Sequence, residues 1–502
     1  MTIIPLPNNL KLLSGNYTDQ SRLITFGPHV QPELADLLCQ YLQGDIASPD
    51  SATCREATVF LKVENPGEEF AMGINEAYAL SILPECINLN AKTNSGLARG
   101  IQALRQLATQ GFPCCEIEDE PAFQWRGLHL DVSRHFFSVK EVCHFIDVLA
   151  LHRLNVCHLH LTDDQGWRIE IKQFPKLTSV GSKRSCTLIG HLRNRPRRYD
   201  DQAHSGFFTQ DDIREIVEFA SQRHVLLVPE IDMPGHMQAA ITAYPEWGCT
   251  DQTIEPRCHW GISQHILNTE TTTVSAMCAI LDEVIALFPG QYVHIGGDEA
   301  VKHQWSESRR TQDLMAERGL RDEQELQSWF IQQIADHLQT QGRKMIGWEE
   351  IMEGGVAEGA VVMSWRGEDA GAKAANSGHD VVMAPQQYVY FDHYQAEPVE
   401  DEPLAIGGLT TTEKVYGYPP IPAEVEASSR HHVLGAQGQL WTEYIPDLQL
   451  LFYMTYPRAC ALAEVLWTKE EKRYFQDFLK RLTGHRHLLA TQGIHSHPEP
   501  AE

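Results

Sequence analysis

The sequence lacks any long uncharged apolar run. No window of its 502 residues approaches the roughly 18 continuous apolar residues of a membrane-spanning helix. The first segment, MTIIPLPNNLKLLSG, has no basic region followed by an apolar stretch, so no secretory signal peptide is expected. We therefore predict a chain that neither spans a membrane nor carries an export signal.

Positive charge is scarce. Lys and Arg number 41 against 67 Asp and Glu, which gives a formal net charge of −26. Such a surface repels nucleic acids and anionic membranes, so neither is an expected partner, and it also keeps a cytosolic enzyme in solution. Hydrophobic residues make up 42% and charged residues 22% of the chain, as in globular proteins with a large core.

The CxxC spacing of metal and redox sites is also missing. Twelve cysteines are scattered along the chain, with one adjacent pair at Cys114 and Cys115. This favours buried thiols in a reducing compartment and hence a cytoplasmic protein. The alternative is a chain secreted by an unusual route, with disulfides.

Residues 1–120 are predicted to form an N-terminal α+β domain. ATVFLKV (57–63) and AYALSIL (77–83) have the apolar pattern of strands. SGLARGIQALRQLATQG has helical spacing, with Ser95 as a candidate cap and Gly111 at the end. GFPCCEIEDEPAFQW is rich in proline and acidic residues and is predicted to be the linker.

From residue 126, eight apolar runs alternate with helical segments. The runs are GLHLDV (127–132), NVCHLHL (155–161), VLLVPEI (225–231), QYVHIGG (291–297), RKMIGW (343–348), AVVMSW (360–365), HDVVMAP (379–385) and HVLGAQGQLW (432–441). Helical periodicity marks SVKEVCHFIDVLALHRL, TQDDIREIVEFASQRH, TTTVSAMCAILDEVIALF and DEQELQSWFIQQIADHLQ between them. Eight strands favour an α/β fold closed as a (β/α)₈ TIM barrel over an open doubly wound sheet.

This barrel, with a C-terminal helical end, is predicted to be the catalytic domain over residues 121–502. The segments 168–210 and 392–430 are too long for simple connections and are expected to form the rim of an active site.

Barrel active sites lie at the carboxyl ends of the strands, so the residues that follow each run are the candidate site. They include Arg134, Asp163, His236, Asp298, Glu299, Trp348, Trp365, Tyr390, Asp392, Trp441 and Glu443. This set of carboxylates, one Arg and three Trp is suited to binding a sugar. Aromatic faces pack against a pyranose ring, and carboxylates accept hydrogen bonds from its hydroxyls. The alternative is that the tryptophans only fill the barrel.

Two metal-binding alternatives are weaker. His158 and His160 alternate on one strand and could bind a metal with Asp163 and His236, although paired histidines on a buried strand are usually hydrogen-bonded core residues. Asp298 and Glu299 could bind Mg²⁺, but no phosphate-cradling glycine loop accompanies them. No metal or cofactor is expected.

The segment HIGGDEA (294–300) places two carboxylates side by side. Ordinary retaining glycosidases hold their two carboxyls about 5–5.5 Å apart across the sugar, which sequence neighbours cannot easily do. One of the pair can reach the leaving-group oxygen. If the substrate carries a 2-acetamido group, its carbonyl oxygen can attack the anomeric carbon while the other carboxylate holds the amide N–H.

HIGGDEA, LHLTDDQGWRIEI, PEIDMPGH, RGLHLDVSRHFF, GWEE and GQLWTEY resemble the family 20 glycoside hydrolases, the β-N-acetylhexosaminidases, and the resemblance runs from about residue 75 to 467. It implies an exo-acting, retaining and substrate-assisted enzyme that removes terminal N-acetylglucosamine or N-acetylgalactosamine from an oligosaccharide or glycoside. Chitin oligosaccharides are an expected source. A conventional retaining glycosidase and an inactive sugar-binding protein are the alternatives.

The resemblance also implies roles for the candidate residues. Glu299 is similar to the general acid/base, Asp298 to the carboxylate that orients the acetamido group, and Tyr390 to the tyrosine that bonds its oxygen. The three tryptophans would wall the acetamido pocket. Arg134, Asp392 and Glu443 would bind ring hydroxyls, and Asp163 and His236 would support Glu299. One departure is the segment GGLTTTEKVYGYPP, which lacks a tryptophan that some members carry. Tyr388 and Tyr394 also lie close to Tyr390 in sequence.

Overall fold

Two sheets organise the chain, an open one near the N-terminus and a closed one after it. The computed structural model describes residues 1–19, 22–47, 56–65, 71–250 and 252–498. The open sheet has seven strands in the order β1-β7-β5-β6-β4-β2-β3. Their bounds are β1 Asn9–Asn16, β2 Leu23–Phe26, β3 Asp45–Ile46, β4 Val59–Val63, β5 Tyr78–Ile82, β6 Ile87–Ala91 and β7 Pro113–Asp119.

The second sheet is the predicted parallel barrel, which the structure confirms. Its order is β16-β17-β18-β19-β20-β21-β8-β9, and β21 pairs with β8 to close it. The strands are β8 Trp125–Asp131, β9 Val156–His160, β16 Leu226–Glu230, β17 Tyr292–His294, β18 Lys344–Trp348, β19 Val361–Ser364, β20 Val381–Met383 and β21 Val433–Gly438. Six short strands lie between β9 and β16: β10 Thr162–Asp163, β11 Gly166–Trp167, β12 Lys183–Arg184, β13 Leu188–Ile189, β14 Arg198–Tyr199 and β15 His204–Ser205.

Helices cover both sheets. The α-helices are α1 Pro32–Leu42, α2 Asn94–Ala108, α3 Val139–Leu151, α4 Lys176–Ser179, α5 Gln210–Ser221, α6 Gln238–Ala243, α7 Thr271–Leu287, α8 His303–Glu307, α9 Arg309–Arg318, α10 Glu323–Thr340, α11 Asp369–Asn376, α12 Gln386–Val389, α13 Thr412–Tyr416, α14 Leu448–Thr455, α15 Arg458–Trp467 and α16 Phe475–Thr491. Short 3₁₀ turns span Pro245–Trp247, Glu349–Met352, Val399–Asp401, Arg430–His432 and Glu470–Lys472. Within the described ranges no helix is long and apolar enough to cross a bilayer.

Two barrel helices start at capping boxes. Ser138 accepts a hydrogen bond from the Glu141 N–H while the Glu141 carboxylate accepts one from the Ser138 N–H, and Thr209 and Asp212 do the same for α5. Each box satisfies two backbone donors that a helix start otherwise leaves unpaired. These side chains therefore fix where the helices begin after their βα loops.

The predicted cap of α2 is wrong. The helix begins at Asn94, and its N-cap is Thr93, whose side chain accepts from the Gly96 N–H. Ser95 is already inside the first turn, where its hydroxyl lies 3.0 Å from Nδ1 of His224. A neighbouring Thr with extended backbone is the better acceptor because only a residue outside the helix can aim its side chain at the N3 N–H.

The predicted linker is wrong as well, because its middle part, Pro113–Asp119, is strand β7. This strand pairs antiparallel with both β1 and β5. Its side chains alternate, with Cys115 and Ile117 buried and Glu116 and Glu118 exposed. The acidic residues that suggested a linker are the solvent face of a period-two strand.

Buried ion pairs join the N-terminal sheet to the barrel. Asp119 of β7 accepts hydrogen bonds from Arg153 at 2.7 Å, from the Tyr78 hydroxyl at 2.9 Å and from the Trp467 indole at 2.9 Å. Arg153 lies shortly before β9, which begins at Val156, so this junction lies at the amino ends of the barrel strands. The carboxyl ends are left free for a site.

Glu76 makes a second such junction, between Arg99 of α2 and Arg126 of β8, at 2.6 and 2.8 Å. Burial alone would raise the pKa of Glu76, but the two guanidinium groups outweigh it and lower that pKa to about 2. Glu76 is therefore a charged clamp between the two sheets at any physiological pH.

Candidate active site

A cavity of about 460 Å³ opens at the carboxyl ends of the barrel strands, a volume suited to one small ligand. Ten of the eleven predicted site residues line it: Arg134, His236, Asp298, Glu299, Trp348, Trp365, Tyr390, Asp392, Trp441 and Glu443. The eleventh, Asp163, is only 2% exposed and lies behind the cavity wall. Residues at or just after the ends of seven of the eight barrel strands thus meet in the cavity wall, and Asp163, which follows β9, lies behind it.

The turn after β17 depends on two glycines. Gly296 and Gly297 have φ angles of +65° and +97°, in the left-handed region that favours glycine. A Cβ on Gly296 would lie 1.7 Å from Oδ1 of Asp232, an oxygen that accepts a hydrogen bond from the Gly297 N–H at 3.2 Å. Glycine at 296 lets the backbone pass against Asp232 and so sets where Asp298 and Glu299 emerge.

The two adjacent carboxylates occupy different environments. The Glu299 side chain is 31% exposed and that of Asp298 13%. Nε2 of His236 lies 3.4 Å from Glu299 Oε2 and 3.6 Å from Asp298 Oδ2. Oδ1 of Asp298 is buried and has no hydrogen-bond partner among the described residues. Glu299 therefore reaches open space, while Asp298 keeps a free acceptor in the wall.

Asp298 is difficult to ionise. Burial raises its pKa above the ordinary value, Glu299 and Glu230 raise it further, and His236 acts in the opposite direction. A buried carboxylate in this situation is stabilised by any donor or positive charge placed against it. The free Oδ1 is the atom on which such a group would act.

Behind the wall, Asp163 joins three cationic side chains. Its Oδ2 lies 2.7 Å from Nη2 of Arg134 and 2.7 Å from Nε2 of His160, and its Oδ1 lies 3.2 Å from Nδ1 of His236. Burial would raise the pKa of Asp163, but Arg134 and His236 outweigh it and hold the pKa well below its usual range. One carboxylate thus positions both Arg134 and His236.

His236 is a cation as a result. Burial lowers its pKa, but Asp163 outweighs that effect, and Glu299 and Asp298 add to it, so the pKa lies well above the ordinary value. A protonated imidazole donates from both ring nitrogens. It can therefore bridge Asp163 and the cavity carboxylates.

Glu230, at the end of β16, was not among the predicted residues. It accepts hydrogen bonds from the Trp348 indole at 2.9 Å and from His160 Nδ1 at 2.6 Å, and it lies 3.1 Å from His158 and 3.0 Å from His294. Burial raises the pKa of Glu230, but these histidines outweigh it and hold the pKa well below its usual range. The signal was present, because a carboxylate inside the apolar run VLLVPEI must be buried and paired.

The two histidines of β9 are hydrogen-bonded core residues. Both ring nitrogens of His160 bind carboxylates, those of Glu230 and Asp163. His158 lies against Glu230 on one side and, at 3.0 Å, against the Gln437 amide on the other. Their nitrogens thus serve the protein's own polar network.

Three tryptophans wall the inner cavity. Trp348 and Trp441 lie 5.8 Å apart, and the Trp365 indole donates to Glu350 at 3.1 Å. Trp348 also packs in the hydrophobic interior of the barrel, so this one side chain both fills the barrel and lines the cavity. Burial and the nearby Asp298 raise the pKa of Glu350 to about 7.

Of the three neighbouring tyrosines, Tyr390 lines the cavity. Its ring stacks with Trp365 at 6.3 Å. Tyr388 stacks instead on Tyr418, with ring centroids 4.9 Å apart, and the backbone of Tyr394 pairs with that of Leu409 in an isolated β-bridge. The sequence favoured Tyr390 among three close neighbours, and the structure places Tyr390 in the cavity wall.

Arg134, Asp392 and Glu443 form the opposite polar wall. Arg134 lines the cavity and is held by Asp131 at 3.3 Å, by Asp163 at 2.7 Å and by Gln165, to which its Nε donates at 3.2 Å. Burial raises the pKa of Asp392 well above its usual range and Glu443 raises it further. Burial also raises the pKa of Glu443, which Arg134 opposes. Hydrogen bonds donated by ligand hydroxyls would stabilise the ionised forms of both carboxyls.

The two long βα segments form part of the rim. Residues 191–193 come from the first and 406–408 from the second, which includes part of the segment without tryptophan. Trp260 and Tyr444 complete this wall, and neither was predicted. A loop residue has no periodic signal, so only the folded chain shows which loop side chains face the cavity.

The arrangement suits chemistry on a small, hydroxyl-rich ligand with an apolar substituent. Glu299 can exchange a proton with a group in the open cavity. Asp298 can accept a hydrogen bond from a donor placed next to its free Oδ1. The tryptophans offer apolar faces, and Arg134 and the two facing carboxyls offer polar contacts.

Comparisons with known proteins agree with this geometry. Residues 123–470 match the family described as "Glycosyl hydrolase family 20, catalytic domain", and residues 1–120 match "Glycosyl hydrolase family 20, domain 2". A beta-hexosaminidase of Porphyromonas gingivalis is 40% identical over 520 residues, covering 99% of this chain. The chain spans 64% of that relative's length.

Two other relatives extend the likeness. A beta-hexosaminidase of Vibrio furnissii is 34% identical over 92% of this chain and 76% of its own length. The crystal structure of a GH20 exo beta-N-acetylglucosaminidase from Vibrio harveyi, in complex with N-acetylglucosamine, superposes with a TM-score of 0.85 at 31% identity. It is matched over all of this chain and 79% of that one.

The glycine turn gives a direct test of how the site is built. We expect Gly296→Ala to destabilise the protein by about 3 kcal/mol or more, because both the φ angle and the contact with Asp232 oppose a side chain. Gly319→Ala is the matched control, since Gly319 has a φ of +70° and nothing within 4 Å of an added Cβ. Denaturant unfolding of both variants measures the difference, and equal losses would contradict this account of the turn.

Proposed function

The chain belongs to glycosyl hydrolase family 20, and we propose that it is an exo-acting β-N-acetylhexosaminidase. It removes a terminal, non-reducing N-acetylglucosamine or N-acetylgalactosamine from a β-glycoside, with net retention at the anomeric carbon. Family membership rests on matches that together run from residue 1 to residue 470. Both named relatives described above as beta-hexosaminidases support the activity.

The observation that carries the proposal is the free Oδ1 of Asp298 beside the half-buried Glu299, which reaches the cavity. Sequence neighbours do not straddle a sugar ring, so a nucleophile and an acid on opposite faces are not what this pair supplies. A 2-acetamido group resolves the difficulty, because its N–H can donate to Asp298 while its carbonyl oxygen serves as the nucleophile, as in substrate-assisted family 20 enzymes.

In the first step, the acetamido oxygen attacks C1 as the bond from C1 to the glycosidic oxygen breaks. Glu299 gives its proton to the departing oxygen. The positive charge of the resulting oxazolinium ring lies next to Asp298, whose burial strengthens that attraction. Tyr390 donates its hydroxyl hydrogen to the acetamido oxygen and holds it in line.

In the second step, water enters where the leaving group was. Glu299, now ionised, accepts a proton from that water as its oxygen bonds to C1, and the bond from C1 to the acetamido oxygen breaks. Two inversions at C1 give net retention. Asp163 acts through His236, which contacts both catalytic carboxylates and keeps them in place.

The remaining residues bind the sugar. Trp348, Trp365 and Trp441 enclose the acetamido methyl group, whose burial favours substrates that carry it. Arg134, Asp392 and Glu443 bind the ring hydroxyls remote from the scissile bond. These hydroxyls belong to the terminal sugar. A wall of side chains beside them blocks a further sugar on that side, which suits exo action.

Substitution of the two carboxylates tests the assignment. We expect Glu299→Gln to lower kcat by about 10²–10⁴-fold on unactivated glycosides, and less on aryl glycosides whose leaving groups need no proton. Asp298→Asn should lower kcat by about 10²–10³-fold with a much smaller change in KM, because it acts on a charge that develops during reaction. Glu118→Gln, an exposed residue of the N-terminal sheet, is the control.

The same assay separates the proposal from a conventional glycosidase. Wild-type protein should hydrolyse para-nitrophenyl N-acetylglucosaminide far faster than the corresponding glucoside, which lacks the nucleophile. Equal turnover of the two, or a glycosyl group trapped covalently on a side chain, would refute substrate assistance.

The pH profile of kcat/KM tests the role of Asp298. Asp298 works ionised, and its pKa is raised, so activity should fall as the pH drops through a value above the ordinary Asp pKa of about 3.9. The Asp298→Asn variant has no such carboxylate and should lose that acidic limb from its residual activity. An acidic limb unchanged in the variant would assign the limb to another group.

We also propose that the enzyme works in the cytoplasm on oligosaccharides derived from chitin. The described part of the chain contains eleven cysteines, and no disulfide joins any two of them, which suits a reducing compartment. Fractionation of the native cells, followed by assay on chitobiose, is the test. Activity found mainly outside the cytoplasm would contradict the location, and failure to split chitobiose would contradict the substrate.

A further inference from the structure

Two loops that contribute residues to the cavity wall carry five arginines, although the protein is strongly acidic. The segment RNRPRR, residues 193–198, places four arginines on a loop that carries three cavity-lining residues, and Arg257 lies on the loop that carries Trp260. The net charge of the chain is −26. A chance cluster of this size is unexpected on such a surface.

None of these five arginines forms an ion pair within the described part of the chain. Arg134, in the same cavity, is by contrast held by two aspartates. Arg195 has an internal role, since its guanidinium donates to the carbonyls of Leu192 and Asn194 and braces the loop. The other four have no carboxylate partner of this kind.

Arg197 and Arg257 are the most unusual of the group. Each has a buried Nε without a hydrogen-bond partner among the described residues. Burial lowers the pKa of Arg257, and Arg197 lowers it further, against the opposing effect of Asp164. Burial and then both arginines lower the pKa of His259 to about 4. Like charges are thus gathered at one place, where a bound anion would stabilise them.

Arg193 is the member of this group that lines the cavity. The preceding N–H, that of Leu192, donates to the Tyr444 hydroxyl at 3.0 Å, and the His191 ring stacks on Tyr444 at 5.5 Å. Tyr444 follows Glu443 in sequence. The charge therefore changes from negative among the inner carboxylates to positive at this rim.

We propose that the arginine rim, defined as Arg193, Arg197 and Arg257, binds an anionic oxygen group of the substrate, a sulfate or a carboxylate, that lies outside the buried sugar ring. The inference rests on the proposed function and adds a substrate class, acidic amino sugar glycosides. Guanidinium groups suit such oxyanions because their planar fork donates two parallel hydrogen bonds. The group is carried either on the C6 oxygen of the terminal sugar or on the aglycone.

Three aryl substrates distinguish these sources. They are para-nitrophenyl N-acetylglucosaminide, the same compound with a sulfate on its C6 oxygen, and one with a carboxylate on the aryl ring. We expect Arg193→Gln, Arg197→Gln and Arg257→Gln together to lower kcat/KM for one anionic substrate about tenfold relative to the neutral one, the effect of a partly buried ion pair. Added salt should shrink the wild-type preference.

Arg430→Gln is the matched control. Arg430 is exposed and lies just before β21, at the end of the barrel away from the cavity. Its substitution therefore removes one positive charge far from the cavity. The single arginine variants, with their thermal midpoints, identify any loss caused by misfolding. An equal loss on neutral and anionic substrates would overturn the proposal.

A binding measurement keeps this test separate from the proposed activity. Glu299→Gln protein, with and without the arginine substitutions, is titrated calorimetrically with N-acetylglucosamine, its C6 sulfate and a carboxylated aryl glycoside. Tighter binding of an anionic ligand that is lost with the arginines supports the rim even if no substrate is turned over. Affinities unaffected by the arginines would overturn it even if hydrolysis is fast.

Discussion

The buried contact of Asp163 with His160, Arg134 and His236 holds the site together. Each partner comes from a different strand end or loop, and all three lie within 3.2 Å of the same carboxylate. The buried negative charge of Asp163 is tolerated only because those cations surround it. Removing one partner of such a buried ion pair typically destabilises a protein by about 3–5 kcal/mol. A chain of alternating charge then runs from Glu230 through His160, Asp163 and His236 to the carboxylates in the cavity.

This alternation of charge explains how Asp298 and Glu299, which are adjacent in sequence, can have different roles. Glycine at 296 brings the turn against Asp232, and His236 contacts both carboxylates from one side. Asp298 is thereby left in the wall with one free oxygen, and Glu299 is left in the open. The proposed substrate assistance uses this asymmetry, because in it the protein supplies a proton donor and an anionic support and leaves the nucleophile to the sugar.

The two ends of the barrel are built for different purposes. At the amino end, Glu76 and Asp119 are satisfied by arginines and fix the N-terminal sheet in place. At the carboxyl end, the cavity wall contains buried polar atoms without a hydrogen-bond partner among the described residues, among them Oδ1 of Asp298 and Oδ1 of Asp392. Buried polar groups without partners are costly, so these are acceptors that a bound ligand would satisfy.

The sequence alone determined the barrel, its eight strands and most of the residues at their ends, because alternation of apolar runs with helical segments is a local pattern. It misplaced the cap of α2 and mistook β7 for a linker, since a strand with acidic outer residues is recognised only by its partners β1 and β5. Only the tertiary structure placed Tyr390, and not Tyr388 or Tyr394, in the cavity wall, and it surrounded Glu230 with three histidines. It also left the rim arginines without a carboxylate partner among the described residues. Those outcomes depend on contacts between residues far apart in the chain, and no local pattern encodes such a contact.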